Sequence, residues 1–319
     1  MTNIAFMASD AISIGAMDFL RASNDFNLVC IVSNPDKPRG RGHRLAPNDA
    51  AQWAIDNGVE LLRPEKSPNS EIVERIKSLG ADVAVVMAYG CILRDCVLDN
   101  ILCLNIHASL LPEFRGASPI ETAIALGRRE TGVSLMRITK RMDEGPVCAV
   151  EKLFISPRET SRSLREKICM LSSRLLEKNL AAAIDGQVEF KEQNHPQATY
   201  TRKIEKSDLF LDFRMSAIEL DRRIRAFGFG FAEIGGVQYK VGKAFATAES
   251  THSDNCGMIL SASPSDGLNI SCARGILRVE RIQKPCAKML SVKDFLAGTK
   301  ISVGDFAKSF SNEPLLKNM

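Results

Sequence analysis

Residues 101–112 read Ile101-Leu102-Cys103-Leu104-Asn105-Ile106-His107-Ala108-Ser109-Leu110-Leu111-Pro112. The apolar run at 101–104 predicts the end of a buried strand, and Pro112 marks a turn leaving it. On a strand, positions i and i+2 share a face. Asn105 and His107 therefore point the same way, at the edge where an α/β sheet opens its crevice. An amide N–H can hold a developing oxyanion, and an imidazole can move protons near neutral pH. The pair suits acyl transfer to an amine.

Outward from this stretch, the first half alternates strands and helices. Strands are predicted at 4–7, 26–32, 60–62, 82–87, 102–107 and 147–155. Helices are predicted at 14–20, 47–57, 70–79, 120–126 and 160–183. The 82–87 strand is nearly continuous in apolar residues, as expected when both faces are covered. Such repetition of strand, crossover and strand implies a Rossmann-like, doubly wound, mostly parallel sheet. Residues 186–202 are polar, lack a helical period and read as linker. Beyond 208 the texture changes to a helix at 217–226 and short strands at 232–234, 237–241, 257–261, 268–272 and 277–283. Regularly spaced short strands predict a small barrel.

The chain has 319 residues, enough for two domains, with 45% hydrophobic and 25% charged residues. No apolar run is long enough to span a bilayer. The N-terminus leads straight into a strand without a basic start and apolar core, so no secretory signal is expected. Nine cysteines, with no C-x-x-C pair, argue against a disulfide framework or a zinc site. They are expected to be reduced thiols of a cytoplasmic protein. No G-x-G-x-x-G follows the first strand, which speaks against a dinucleotide dehydrogenase. The net charge of +4 is modest, so its distribution matters more than its total.

Asn-x-His-x-Ser-Leu-Leu-Pro, then Arg115-Gly116, then Asp143 in Arg141-Met142-Asp143-Glu144-Gly145, resembles the folate-dependent formyltransferases. Over residues 3–295 the chain is similar to the branch of that family acting on methionyl-tRNA. The resemblance implies a formyltransferase fold over 1–188, a linker over 189–207, and an OB-like, tRNA-binding barrel over 208–319. It implies that Asn105, His107 and Asp143 are catalytic, with the carboxylate orienting the imidazole. The implied co-substrate is 10-formyltetrahydrofolate, with no metal. The implied acceptor is the α-amino group of initiator methionyl-tRNA, and the protein is expected to act as a monomer. Tyr89, Gly90, Cys91, Ile92 and Leu93 resemble the segment that wraps the pterin ring. Ser109, Leu110, Leu111 and Pro112 resemble one that shapes the folate site, besides forming a turn.

Residues 34–44 form a Pro/Gly-rich loop carrying Lys37, Arg39, Arg41 and Arg44. A basic loop after a sheet strand can wrap a phosphate backbone, and this one resembles the family's insertion on the tRNA acceptor arm. Arg222, Arg223, Arg225, Lys240 and Lys243 either extend a basic channel or face solvent. Departures from the family pattern are Ala8-Ser9-Asp10 in place of Gly-Thr-Pro, Pro146 in place of Asp, and Gly228-Phe229-Gly230-Phe231 in place of Asn-Pro-Trp-Pro. Two rival readings stand beside the tRNA one. The first is formylation of a nucleotide-linked amino sugar, against which the basic loop speaks. The second is a non-catalytic RNA-binding module, against which the Asn105, His107 and Asp143 set speaks.

Overall fold

The computed structural model describes residues 1–39 and 44–317. In chain order the first elements are β1 (Thr2–Met7), α1 (Ile14–Ala22), β2 (Phe26–Val32), β3 (Lys37–Arg39), β4 (Arg44–Ala46) and α2 (Asp49–Asp56). There follow β5 (Glu60–Leu62), α3 (Ser70–Ser78), β6 (Val83–Val86), α4 (Asp95–Leu98) and β7 (Leu102–His107). Then come β8 (Arg115–Gly116), α5 (Pro119–Ala125), β9 (Glu130–Arg137), β10 (Val147–Phe154) and α6 (Ser161–Ile184). The starts of α2 and α3 are set by Asn48 and Asn69, whose side chains accept from the N–H groups of Ala51 and Ile72. Each satisfies a donor that the first helical turn leaves unpaired.

The sheet order is β10-β9-β7-β6-β1-β2-β5. The five strands from β7 to β5 are parallel. The chain winds from β1 through β2 to β5, then crosses to β6 and β7 on the other side. The switch therefore falls between β1 and β6, and the crevice opens at their carboxyl ends. β6 is buried along its whole length, as its unbroken valine and alanine run predicts. β9 and β10 are antiparallel additions. β9 was not anticipated from the sequence. Its charged start obscures a segment, 131–136, that is buried throughout and so shows no alternation.

The remaining strands and α-helices are β11 (Tyr200–Thr201), α7 (Ala217–Phe227), β12 (Gly230–Ile234), β13 (Val237–His252), β14 (Ile259–Ser263), β15 (Gly267–Ser271), β16 (Arg274–Gln283), β17 (Leu290–Ser291), α8 (Val292–Ala297), β18 (Ala307–Lys308) and β19 (Leu316–Lys317). Ser216 and Glu219 form a capping box at the start of α7. The second sheet runs β14-β15-β16-β13-β12-β18, with β17 beside β16. Its mapped strand pairs are antiparallel. β13 runs well beyond the 237–241 expected for it, and register shifts after Val241, Lys243 and Thr247 allow it to bend. The Met258–Phe306 bridge and the 2.8 Å Ile259 N–H to Asp305 carbonyl bond bring the two ends of the sheet together. The result is the curled antiparallel half-barrel that the spacing of short strands predicts, with Leu220, Ile224, Val241, Leu268, Leu277 and Phe295 in its core.

The chain divides into two compact units. One comprises Met1–Gly116, Glu130–Phe154 and Arg165–Tyr200; the other comprises Ala117–Arg129, Ile155–Leu164 and Thr201–Met319. Residues 186–202, read as linker, are ordered by specific bonds. Lys191 exchanges two 2.9 Å backbone bonds with Val147, and His195–Gln197 make a 3-10 turn. The basic segment, read as a loop, is a two-stranded antiparallel hairpin at its flanks, with Lys37 in register with Ala46 and Arg39 with Arg44. Arg41 lies outside the described residues.

Candidate active site

β7 delivers Asn105 and His107 on one face at its carboxyl end, as the i, i+2 spacing predicts. Asn105 sits half-buried in register with Val86 of β6 and Met136 of β9. His107 is 7% exposed. Its Nε2 lies 2.8 Å from the carbonyl oxygen of Phe114, and its Nδ1 lies 3.7 Å from Asp143 Oδ2. A carbonyl only accepts, so Nε2 carries the proton in the neutral ring. The lone pair is then on Nδ1, on the Asp143 side.

The turn after β7 fixes that carbonyl. Ser109 Oγ donates to the Glu113 carbonyl at 2.6 Å. Ser134 Oγ on β9 donates to the Ser109 carbonyl at 2.7 Å and accepts from the Leu111 N–H at 3.1 Å. Phe114 N–H donates to Thr199 Oγ1 at 2.9 Å. The Leu111–Pro112 peptide is cis. Ser109 is fully buried, so its hydroxyl serves the turn, while Leu110, Leu111 and Pro112 remain half-buried.

Asp143 reaches the imidazole from the loop between β9 and β10. Its backbone stands at φ +55°, in the left-handed region, which Asp tolerates better than most side chains. Its Oδ2 accepts from the Gly116 N–H at 2.8 Å. Two residues on, a Cβ at Gly145 would collide with the carbonyl oxygen of Arg137, so the loop closes only with glycine there. Gln193 Nε2 donates to the carbonyls of Asp143 and Gly145 at 2.8 and 2.7 Å. Gln193 Oε1 accepts from Nε and Nη2 of Arg115 at 3.0 and 2.8 Å. Arg115 is 1% exposed and also meets Tyr200 Oη at 2.6 Å and His195 Nδ1 at 3.0 Å. Tyr200 Oη donates to Glu144 Oε1 at 2.7 Å. That bond and the nearby cations hold the Glu144 carboxyl below the usual range.

In the sequence Arg115 stands out only as part of the family motif, and Gln193, His195 and Tyr200 not at all. A polar stretch without period looks solvated. The available signal was that a buried arginine needs acceptors, but burial of Arg115 is itself a tertiary fact.

The segment after β6 lies at the crevice. The Met87 N–H bonds the Met7 carbonyl at 3.0 Å, extending the β1–β6 pairing. Ala88 and Gly90 then take positive φ values of 49° and 77°. Tyr89 opens the segment that resembles the pterin site, where its ring is expected beside an apolar pocket. The residue is 2% exposed, within the core cluster of Leu93, Val97 and Cys103. Its buried hydroxyl has no hydrogen-bond partner among the described residues, and burial pushes the phenol pKa up. The reason is the alternation of the segment, which turns 88, 90 and 92 outward and 89 and 93 inward. Cys91 Sγ donates to Asn34 Oδ1 at 2.9 Å. Asn34, which was not singled out from sequence, also donates through Nδ2 to Ser9 Oγ at 2.9 Å and to the Tyr89 carbonyl at 2.6 Å. It ties the ends of β1, β2 and β6 together.

The basic hairpin follows β2, which runs parallel to β1 and β1 to β6. It therefore leaves the sheet from the edge at which β7 delivers His107. Lys37 and Arg44 are exposed. The arginines of α7 behave differently from either reading of them. Arg223 is 7% exposed, with Nη2 3.9 Å from Asp208. Arg225 donates to Asp221 at 3.2 Å and to the Glu159 carbonyl at 2.6 Å. Both are consumed inside the second unit. Lys243 pairs with Glu280 at 3.1 Å, and Lys240 Nζ lies 3.8 Å from the Phe229 ring centroid. Among the described residues no set of three His, Cys, Asp or Glu is arranged to hold a metal, and no helix is long and apolar enough to cross a membrane. The nine cysteines are free thiols; Cys30, Cys103 and Cys272 are buried, and burial pushes each thiol up to about 12.

A parallel sheet with this switch point, an Asn–His pair and an aspartate behind the imidazole define the class: the chain belongs to the formyl transferase family, whose model matches residues 2–180 and whose C-terminal domain matches residues 203–300. Within that class the match runs nearly end to end with methionyl-tRNA formyltransferases. The relative from Legionella pneumophila is 34% identical over 302 residues, covering 93% of this chain and 95% of the relative. The one from Myxococcus xanthus is 36% identical over 306 residues, covering 94% and 96%. Solved structures share the fold at lower identity. The Helicobacter canadensis N-formyltransferase, solved with folinic acid and dTDP-3-aminofucose, is 18% identical, with TM-score 0.65 over 88% of this chain and 99% of that one. Aquifex aeolicus HypX with tetrahydrofolic acid is 14% identical, with TM-score 0.60 over 96% and 50%.

Proposed function

We propose that this protein transfers a formyl group from 10-formyltetrahydrofolate to the α-amino group of initiator methionyl-tRNA, in the cytoplasm. The observation that carries the proposal is the Asn105–His107 pair backed by Asp143, in a chain matching methionyl-tRNA formyltransferases over nine-tenths of its length. In this reading residues 1–188 do the chemistry, 189–207 link, and 208–319 bind tRNA. Within the Tyr89–Leu93 segment the outward-facing Gly90 and Ile92, together with the half-buried 110–112 turn, are the surfaces offered to the folate.

The folate co-substrate supplies the formyl carbon. The neutral amine attacks that carbon, forming a C–N bond and placing negative charge on the formyl oxygen. Asn105 Nδ2–H donates to that oxygen. The amine, now cationic, gives a proton to His107 Nδ1, whose positive charge Asp143 balances. The C–N10 bond then breaks, and the proton is returned to N10. The net change moves one formyl group to the amine and one proton to the folate.

The test is a direct assay with purified protein, 10-formyltetrahydrofolate, and charged initiator tRNA against elongator tRNA and a nucleotide-linked amino sugar. Formylation of methionine on initiator tRNA is expected. Turnover of the sugar alone replaces this reading with the sugar one, and no turnover with any acceptor removes the catalytic assignment.

A further inference from the structure

We propose that Gln193 is a positioning residue for the reaction, holding Asp143 in its left-handed backbone conformation so that Oδ2 faces His107. The inference rests on the formyl-transfer reading, because it concerns the carboxylate of that site.

The argument begins with what lies on each side of Gln193. On one side is Arg115, which has five N–H donors and no acceptor. On the other are the carbonyls of Asp143 and Gly145, which only accept. A side chain bridging them must accept at one end and donate twice at the other, and a primary amide does both. The amide orientation follows from its neighbours: turned over, it would put NH2 against the guanidinium and oxygen against two carbonyls. Gln193 is 7% exposed, and its amide makes four bonds between 2.7 and 3.0 Å.

The bonds act on the right atoms. Asp143 and Gly145 flank Glu144 in the β9–β10 loop, and Asp143 holds the positive φ there. Fixing both carbonyls fixes the Asp143–Glu144 and Gly145–Pro146 peptide planes and, through the first of them, the backbone from which the Asp143 side chain projects. Arg115 anchors the clamp at its other end and is itself bonded to Tyr200. The Gly116 N–H that meets Asp143 Oδ2 belongs to the next residue along from Arg115. The same guanidinium-bearing strand thus supports both ends of the aspartate: the main chain through Gln193, and the carboxylate through Gly116.

Gln193→Glu separates this role from simple packing. It keeps the acceptor facing Arg115 and sets a carboxylate oxygen against the two carbonyls. Turnover should fall by about 100-fold, the scale expected when a reacting group is misplaced by an ångström. KM for folate and for tRNA should stay within about threefold. A crystal structure of the variant should show Asp143 Oδ2 withdrawn from the Gly116 N–H. The near-isosteric Gln193→Met, which donates nothing, should behave alike and stands in where the Glu variant fails to fold. A lowered Tm with unaltered kcat per folded molecule would make Gln193 merely structural and overturn the proposal, as would a raised KM with kcat retained. If the wild-type protein formylates none of the acceptors, the formyl-transfer reading fails, and the crystal structure still decides the clamp: Asp143 unmoved in the variant overturns it.

Discussion

The Nε2 of His107 lies 2.8 Å from the carbonyl oxygen of Phe114. This contact determines which nitrogen of the ring can act as a base, because the carbonyl claims the Nε2 proton and leaves the Nδ1 lone pair toward Asp143. A glutamine at 107 can still donate to Phe114 but carries no basic nitrogen. We expect His107→Gln to fold with an unchanged melting curve and to lose about 100-fold or more in kcat. Near-normal turnover would remove His107 from the chemistry.

Asn105→Ala deletes the proposed oxyanion donor from the same strand face. We expect a loss of about 100-fold in kcat, with KM for the folate donor little changed. Steady-state kinetics on the purified variant decide it, and an effect confined to KM would reassign Asn105 to binding.

Asp143 combines a carboxylate with a backbone at φ +55°. Asp143→Asn keeps a side chain suited to that backbone, so kcat should drop while stability holds. Asp143→Ala loses the carboxylate and adds strain of about 1 kcal/mol at a left-handed position. Chemical denaturation should therefore rank Ala below Asn, and equal stabilities would show that the loop relaxes freely.

Gly90 stands at φ +77° on the outward side of the proposed folate segment, and an added Cβ there meets Asn34 at an ordinary 3.8 Å. Gly90→Val should distort the exposed backbone and raise KM for 10-formyltetrahydrofolate while leaving tRNA affinity intact. Unchanged folate kinetics in a folded variant would place the folate elsewhere.

Replacing Arg39, Arg41 and Arg44 by Ala should weaken tRNA binding and flatten its salt dependence by about one unit of slope for each lost phosphate contact. Filter binding across a salt series measures this. An unaltered slope would mean that the basic segment only faces solvent.

In the second unit, Arg202 clasps Asp208 through bonds of 2.7 and 2.5 Å, with the aspartate side chain 1% exposed. Burial alone would raise that carboxyl, but the Arg202 bonds, the Glu205 backbone and the charges of Arg202 and Arg223 hold it below the usual 3.8. A depressed carboxyl stabilises the fold above its ordinary value and loses that contribution as pH falls below it. Asp208→Asn should thus cost about 3 kcal/mol at neutral pH. The gap from wild type in urea midpoints should narrow as pH drops below 3.8, and a gap independent of pH would contradict the ion-pair account.

Much of the architecture was legible in the one-dimensional pattern. The parallel strands ending at Val32, Leu62 and His107 announce themselves by apolar runs between helical periods, and the i, i+2 spacing alone puts Asn105 and His107 on one face. Those readings rest on geometry that is local to a strand or helix. Asp143 was legible only through resemblance, since neither its left-handed backbone nor its approach to His107 is a property of nearby residues.

What the tertiary structure decided were burial and long-range partnership. That Tyr89 packs in the core was not legible in its segment; it is buried because the segment alternates and its neighbours turn outward. Arg223 and Arg225 looked like surface charge, but Asp208, Asp221 and the Glu159 carbonyl supplied the acceptors that let them be buried. Arg115 and Gln193 are 78 positions apart in the chain, so nothing local marks either as the other's partner. Hydrophobic periodicity is written into adjacent residues. A polar side chain's role depends on which distant donors and acceptors the fold brings to it, and that is settled only when the sheet, the turn after β7 and the 193–200 segment pack together.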